Sequence, residues 1–382
     1  MKDYPFRFSI THQTEDNSGT LRFTCHQPEA TTAGIRRAAR AIDSFHHVQR
    51  RREQLNRKAD EQDLWTAIVA KELLPAIDLI RASDEKKLAE YLASFGFEYM
   101  WFGGLSTGLD GFNHWNREEA VATRTYFDHL LNLAVSLGVL PAELPNPGLR
   151  GNWERNVAYK PADVAAKIEA ELGISIAPQQ NVISVTGLLT ENGIVHYRHI
   201  NALYAALRVK ELVSAPAPVC EYGGGLGFVA YYLWQFGYRD LTLVDLPVTN
   251  VFSGNLLMGL LGEDAVSLEG EPERVDQIKI RSSYFADAQL AGKRFELSLN
   301  QDSFPEIDQA VVDAYLDLIH STTRRYFLSI NHEVEHEISN TVSHLSVPKL
   351  MRGRASQYER ISRVPNWIRR GYVEEVYRLI HG

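Results

Sequence analysis

Two grains of hydrophobic patterning divide the chain. Up to residue 213, apolar positions recur mostly every three to four residues, the spacing of helices that bury one face. From 217 onward, short apolar strands alternate with helical stretches. The first grain predicts helices over 33–58, 61–82, 84–95, 117–137, 161–171 and 199–213. The second of these is broken near Pro75, because proline lacks the amide a helix interior needs. A strand pair is expected at 182–189 and 194–197, and the polar segment 1–32 reads as a hairpin or loose arm. EYMWFGGLSTGLDGFNHWN (98–116) is too rich in glycine to be helical and reads as an aromatic-packed loop of the kind that lines binding sites. Residues 140–156, rich in proline and glycine, read as a connector.

In the second grain, strand PVCEYG leads to helix 227–236 and strand DLTLVDL to helix 248–261. Strand VDQIKIRSS leads to a short helix at 285–290, and strand RFELSLNQ to helix 308–320. RRYFLSINHE, YERISRV and GYVEEVYRLI complete the set, the last two as an antiparallel closing pair. Strands alternating with helices predict a parallel sheet covered on both faces. The expected architecture is a doubly wound, Rossmann-like α/β domain over 199–382. A mostly helical region over 1–198 precedes it, capping the site and forming a dimer face.

Composition narrows the function. With 40 Lys and Arg against 48 Asp and Glu, the net charge of −8 argues against broad binding to nucleic-acid phosphates. Arg36, Arg37, Arg40, Arg50, Arg51 and Arg52 make the first helix basic, beside an apolar stripe of Ile35, Ala38, Ile42 and Phe45. These read as the solvated face and the packing face of a dimerisation helix. No apolar run approaches the roughly 20 residues that span a bilayer, and the first residues lack an apolar signal core. A cytoplasmic protein is expected. The 2 cysteines make neither a disulfide framework nor a zinc site.

The chemistry concentrates in VCEYGGGLGFVAYYLWQFGYRDLTLVDLP (219–247). The dinucleotide fingerprint is G-x-G-x-x-G. Here Gly223 and Gly225 are in place, but the third position is Phe228, and Gly227 gives G-x-G-x-G instead. Such glycines let the backbone turn sharply and approach a ligand. The helix that follows presents free amides to an anionic group. Asp245 at the end of the next strand can accept hydrogen bonds from both hydroxyls of a ribose.

EYGGGLG followed by LVDLP resembles the first motif and second-strand acid of class I S-adenosylmethionine-dependent methyltransferases. The resemblance implies S-adenosylmethionine as cofactor, held by Glu221, Tyr222, Gly223, Gly225, Asp245 and Leu246. Ser283 and Tyr284 would lie near its adenine, and Asn300 would complete the set. LSLNQDSFPEID, LSINHEVEHE and RISRVPNWIRRGYVEEVY further resemble a bacterial family of sugar O-methyltransferases, over roughly residues 180–382. That resemblance implies a sugar-like small molecule as acceptor, in polysaccharide or secondary-metabolite biosynthesis.

A sugar hydroxyl must lose its proton as it attacks, which calls for a base or a metal ion. Strand ends supply candidates: Asn300, Asp302 and Glu306 after one strand, His332 and Glu333 after the next. His332 is the expected base, since imidazole titrates nearest neutrality. Asp302 or Glu306 would orient it or hold sugar hydroxyls, although DSFPEID also suits a helix cap. Mg²⁺ on Asp302, Glu306 and a later carboxylate is an alternative that no dense carboxylate motif demands. His196 and His199 flank Tyr197 and Arg198 just before the lead-in helix, where they could reach the donor's carboxylate or the acceptor, and Trp367, Arg369 and Arg370 are candidates to line the acceptor pocket. Acceptors other than a hydroxyl (an amine, a carboxylate or a phosphonate oxygen), a non-catalytic nucleotide-binding scaffold and a nicotinamide-dependent oxidoreductase stay open.

Overall fold

The computed structural model describes residues 23–55, 69, 71–97, 105, 107, 119–141, 159–339, 342–369 and 371–381. In chain order, β1 (Phe23–His26) precedes α1 (Thr32–Gln54), α2 (Leu74–Arg81), α3 (Glu85–Ser94), α4 (Glu119–Ser136) and α5 (Pro161–Leu172). β2 (Val185–Thr190) and β3 (Gly193–Val195) join β1 in a small antiparallel sheet. β1 pairs with β2, Phe23 opposite Leu188, and the rest of the expected arm, 1–22, lies outside the described residues. α6 (Tyr197–Leu212) leads into the main sheet. The local chemistry matches the sequence pattern. Thr31 caps α1 by accepting from the Gly34 amide at 3.0 Å, and Pro75 falls in the first turn of α2, where its missing amide costs nothing.

The main sheet is built from β4 (Val219–Tyr222), β5 (Leu241–Asp245), β6 (Val266–Ser267), β7 (Ile278–Ser282), β8 (Phe295–Gln301), β9 (Thr323–His332), and, after the β10 (His336–Ser339) and β11 (Val342–His344) hairpin, β12 (Tyr358–Pro365) and β13 (Tyr372–Leu379). Its order is β12-β13-β9-β8-β4-β5-β7-β6. β4 to β9 pair with one another in parallel, while β13 is antiparallel to both β9 and β12. Helices α7 (Phe228–Gln235), α8 (Pro247–Leu261), α9 (Ala286–Leu290) and α10 (Gln309–Thr322) alternate with these strands, and α11 (Val347–Arg352) precedes β12. The expected doubly wound α/β fold is present. The β10–β11 hairpin, β6 and α11 lack any strong period and were not expected.

Two cores flank the sheet, because side chains alternate faces along a strand. Val219, Leu243, Leu299 and Ile330 pack with α1, α6, α7 and α8. Cys220, Tyr222, Val244 and Phe327 pack with α9, α10 and α11. The first core continues without a break from Ala38 to Val376, across the expected boundary at 198/199.

Helix α1 corrects two expectations. Its stripe of Ala38, Ala41, Ile42, Phe45 and Val48 is buried inside this chain, so it forms no dimer face. Only some of its arginines form a solvated face: Arg50 is exposed, while others are engaged within the chain. Arg40 pairs with Glu271 and donates to the Glu263 and Val266 carbonyls; Arg36 pairs with Glu263, Arg37 donates to Asn255, and Arg51 pairs with Glu269. The basic helix is the clasp that holds itself to the β6–β7 edge.

The adjacent acids Glu374 and Glu375 on β13 are both fully buried and point to opposite faces. Glu374 accepts from Arg208 Nε and Tyr204 Oη, each at 2.8 Å, while Glu375 is held by Arg360 and Arg363, each at 2.9 Å. Removing one partner of a buried pair strands the other's charge. Arg208→Ala is expected to lower stability by about 2–3 kcal/mol, short of the full penalty of a buried pair because water reaches part of the arginine. Chemical denaturation of the two proteins measures it.

Candidate active site

The strand order reverses between β4 and β8. From β4 the chain winds outward through β5 to β7, then returns to β8 and winds the other way. In open α/β sheets, the crevice at the carboxyl ends of the strands flanking such a reversal is where ligands bind. Everything the sequence singled out after β4, β5, β7, β8 and β9 lies along this edge.

The turn after β4 needs its glycines. Gly223, Gly225 and Gly227 all hold left-handed backbone, with φ of 71°, 55° and 84°. A Cβ on Gly223 would run into the Ser303 hydroxyl, and one on Gly227 would lie 2.8 Å from Leu257 Cδ1. Gly225 has more room; its nearest neighbour would be Leu105 at 3.7 Å, so the segment 98–116 reaches the turn at this one described point. The rest of that aromatic loop, apart from Thr107, lies outside the described residues.

Asp245 ties the turn to the next strand. Its Oδ2 accepts from the Gly225 amide at 2.8 Å and its Oδ1 from the Leu246 amide at 2.7 Å. Burial raises its pKa to about 6, although these hydrogen bonds pull the other way. Glu221 stands beside it, 5% exposed, with no hydrogen-bond partner for Oε2. Burial, reinforced by the Asp245 charge, pushes Glu221 up to about 8. An unsatisfied buried carboxyl oxygen is costly, and here it faces the glycine turn.

The other expected donor residues divide into two groups. Ser282 pairs in register with Asp245, so Ser283 and Tyr284 begin one strand further along the same edge. Ser283 Oγ is buried without a partner. Tyr222 and Asn300 serve from behind. The Tyr222 ring lies on the opposite face from Glu221, edge-on to Tyr315. Asn300 is fully buried and donates to the Tyr222 carbonyl at 2.8 Å and to Ser303 Oγ at 2.6 Å, while accepting from Asn331 at 3.0 Å. Its amide knots β4, β8 and β9 together and leaves nothing for a ligand.

On the far side of the reversal, Asp302 follows β8 with φ of 69°, a left-handed value unusual for a residue with a side chain. Asp308, not Asp302, caps α10, accepting from the Ala310 amide at 2.8 Å. Asp302 is instead gripped by Arg369 and the Tyr372 hydroxyl. Burial favours its neutral form, but Arg369 and these hydrogen bonds outweigh that and hold its pKa below the ordinary value. It is therefore an anchored anion and a weak base, and it does not orient His332 directly. Arg369 stacks on Tyr372, its Cζ 4.0 Å from the ring centroid.

His332 closes β9, cross-strand from Tyr372, with ring centroids 5.8 Å apart. The His344 ring centroid lies 4.8 Å from that of His332. Glu306 lies close enough for its charge to act on Tyr372. Glu333 is a correction: one residue further along it turns to the opposite face and pairs with Arg363 at 2.6 Å. Trp367 is 42% exposed, and Arg370 lies outside the described residues.

Two further histidines have a structural duty. His196 caps α6 by accepting from the Arg198 amide at 3.1 Å, and His199 Nδ1 accepts from the His196 amide at 3.2 Å. Burial keeps His199 at about 3 and His196 well below its ordinary value. His199 packs on Phe228, the first residue of α7. Sequence reasoning missed His129 on α4, which packs on Tyr197 and feels the Arg369 charge; nothing in its helical period distinguishes it from a packing residue. Among the described residues, no group of three or more His, Cys, Asp or Glu is arranged to hold a metal ion. Among them also, no helix is long and apolar enough to cross a membrane.

No family model matches the chain, and no curated protein matches it. Among solved structures, it is similar to the glycopeptide N-methyltransferase MtfA complexed with S-adenosylhomocysteine, at 16% identity, 47% of this chain, 90% of that one and a TM-score of 0.36. It is also similar to the 1,6-didemethyltoxoflavin-N1-methyltransferase of Burkholderia thailandensis, at 18% identity, 47% and 79% coverage and a TM-score of 0.35. A third is TehB of Haemophilus influenzae, at 14% identity, 46% and 62% coverage and a TM-score of 0.35. These likenesses span about half of this chain, and the fold assignment rests on the strand order itself.

The two raised carboxyl groups make stability depend on pH. A carboxyl whose folded pKa exceeds its unfolded value stabilises the fold fully below the unfolded value, and that contribution is lost as pH rises through the folded one. For Glu221 the window runs from 4.5 to about 8. The ligand-free protein is expected to lose thermal stability between pH 6 and 8.5, and Glu221→Gln to lose less of it. Melting temperatures across that range decide the point.

Proposed function

We propose that this chain is a methyltransferase that uses S-adenosylmethionine and methylates a hydroxyl of a sugar-like small molecule. The observation that carries the donor half is the unsatisfied Glu221 carboxyl beside the Asp245-anchored glycine turn, at the reversal of the sheet. A donor with an ammonium, a ribose and a base matches what is offered. Glu221 supplies an acceptor for the ammonium, Asp245 keeps free lone pairs for the ribose hydroxyls, and the end of β7 receives the base. The wedge of Phe228, where a dinucleotide fingerprint needs glycine, favours this donor over a nicotinamide dinucleotide.

The sulfonium donor supplies an already activated methyl group. The chain's task is to hold the acceptor oxygen in line with it and to take its proton, so positioning carries much of the rate. In this reading, His332 is the base at the end of β9. Asp302 fixes Arg369 and Tyr372, and Tyr372 presents its ring edge to His332. Burial and the Asp302 charge hold the Tyr372 phenol above its ordinary pKa, so it stays protonated and acts as a donor. The sugar-like acceptor is supported by the resemblance of the 297–308, 328–337 and 360–377 segments to sugar O-methyltransferases, and by the aromatic and arginine side chains those segments bring together.

Calorimetric titration with S-adenosylmethionine tests the reading. The wild type is expected to bind, and Asp245→Ala to bind at least about 10-fold more weakly, the scale of lost hydrogen bonds to a charged group. His332→Gln should bind the donor as the wild type does, yet transfer methyl groups about 10²–10⁴ more slowly. A wild type that ignores the donor would reject the reading.

A further inference from the structure

The C-terminal end of α1 lies where the donor's base would arrive. Asp245 and Ser282 are register partners on neighbouring strands, so they stand roughly 5 Å apart across the edge. A donor whose methionine part meets the β4 turn and whose ribose meets β5 extends its base toward the end of β7. That end is not bare. Arg51 lies over the Phe285 ring, Cζ 4.4 Å from its centroid, and Arg52 over the Tyr284 ring at 4.8 Å. Glu269 joins the two elements, with Oε1 3.3 Å from Arg51 Nη1 and Oε2 accepting from the Ser282 amide at 3.3 Å. The unpartnered Ser283 Oγ sits beside them.

We propose that the end of α1 is part of the donor site, with Arg51 and Arg52 forming the outer wall of the base pocket at the end of β7. This rests on the donor reading above. A guanidinium is flat and weakly hydrated, and it stacks on aromatic faces and on heteroaromatic bases alike. Arg52 on Tyr284 is thus a surface ready to continue onto a base. Arg51, neutralised by Glu269, keeps that wall from repelling a cationic donor. Because the same helix is clasped to the β6–β7 edge by Arg36, Arg37 and Arg40, base binding and helix docking stabilise each other. In this reading the basic helix completes a pocket within the chain.

The test uses the full chain and S-adenosylmethionine. Calorimetry should show Arg52→Ala and Arg52→Lys each weakening donor binding roughly 3- to 30-fold, since an ammonium cannot replace a stacked guanidinium. Arg324→Ala, an exposed arginine at the start of β9 and away from α1, should leave the affinity within about twofold. Both arginines are partly exposed, so these variants are expected to fold. Amide exchange should also slow over residues 45–54 when the donor is added to the wild type. Unchanged affinity in both Arg52 variants, with no change in exchange along α1, would overturn the proposal while Asp245-dependent binding left the donor reading standing. No binding by the wild type would overturn both.

Discussion

The hydrogen bond from the Gly225 amide to Asp245 holds the site together. At 2.8 Å it joins the turn after β4 to the end of β5, and both parts need the other. The turn runs through left-handed backbone at Gly223, Gly225 and Gly227, which no packed side chain could enforce. Asp245 is drawn from solvent into a place where its charge is costly, and the two amides it accepts from offset part of that cost. The helix after the turn then starts where its amides face the same crevice. Ligand chemistry follows from this joint: a carboxylate fixed beside a backbone cradle, with Glu221 left unsatisfied behind it.

Across the reversal of the sheet the logic is different. Asp302 is held ionised by Arg369 and Tyr372, and all three come from chain ends that meet only because β13 returns antiparallel beside β9. The anchored anion orders a phenol and a guanidinium next to His332. A buried charge of this kind adds little stability on balance; its effect is to fix geometry. The glycine-turn side therefore carries carboxyl and hydroxyl groups left without partners, and on the Asp302 side the carboxylate, guanidinium and phenol already hold one another in place.

The glycine turn and its acid were legible in the sequence because their parts are local. EYGGGLG and LVDLP carry strand, turn, helix and acid within a short stretch, and the alternation of strands and helices fixed the sheet around them. Period-two alternation also held information that was not drawn out: it sends Tyr222 away from Glu221, and Glu333 away from His332. What could not be read were pairings between distant segments. Arg40 meets Glu271, Arg369 meets Asp302, and His129 meets Tyr197, none of them marked by local spacing. The arginines of α1 looked like a solvated face because their partners lie beyond 250 in the chain. Asn300 looked like a ligand residue for the same reason, since its partners Tyr222 and Asn331 come from two other strands.

The most direct test of the central claim is a crystal structure with S-adenosylhomocysteine. The ligand is expected across Gly223–Gly227, with its ribose hydroxyls on Asp245 and its amino group on Glu221 Oε2. A ligand bound elsewhere, or one in the crevice that leaves Glu221 Oε2 still without a partner, would contradict it.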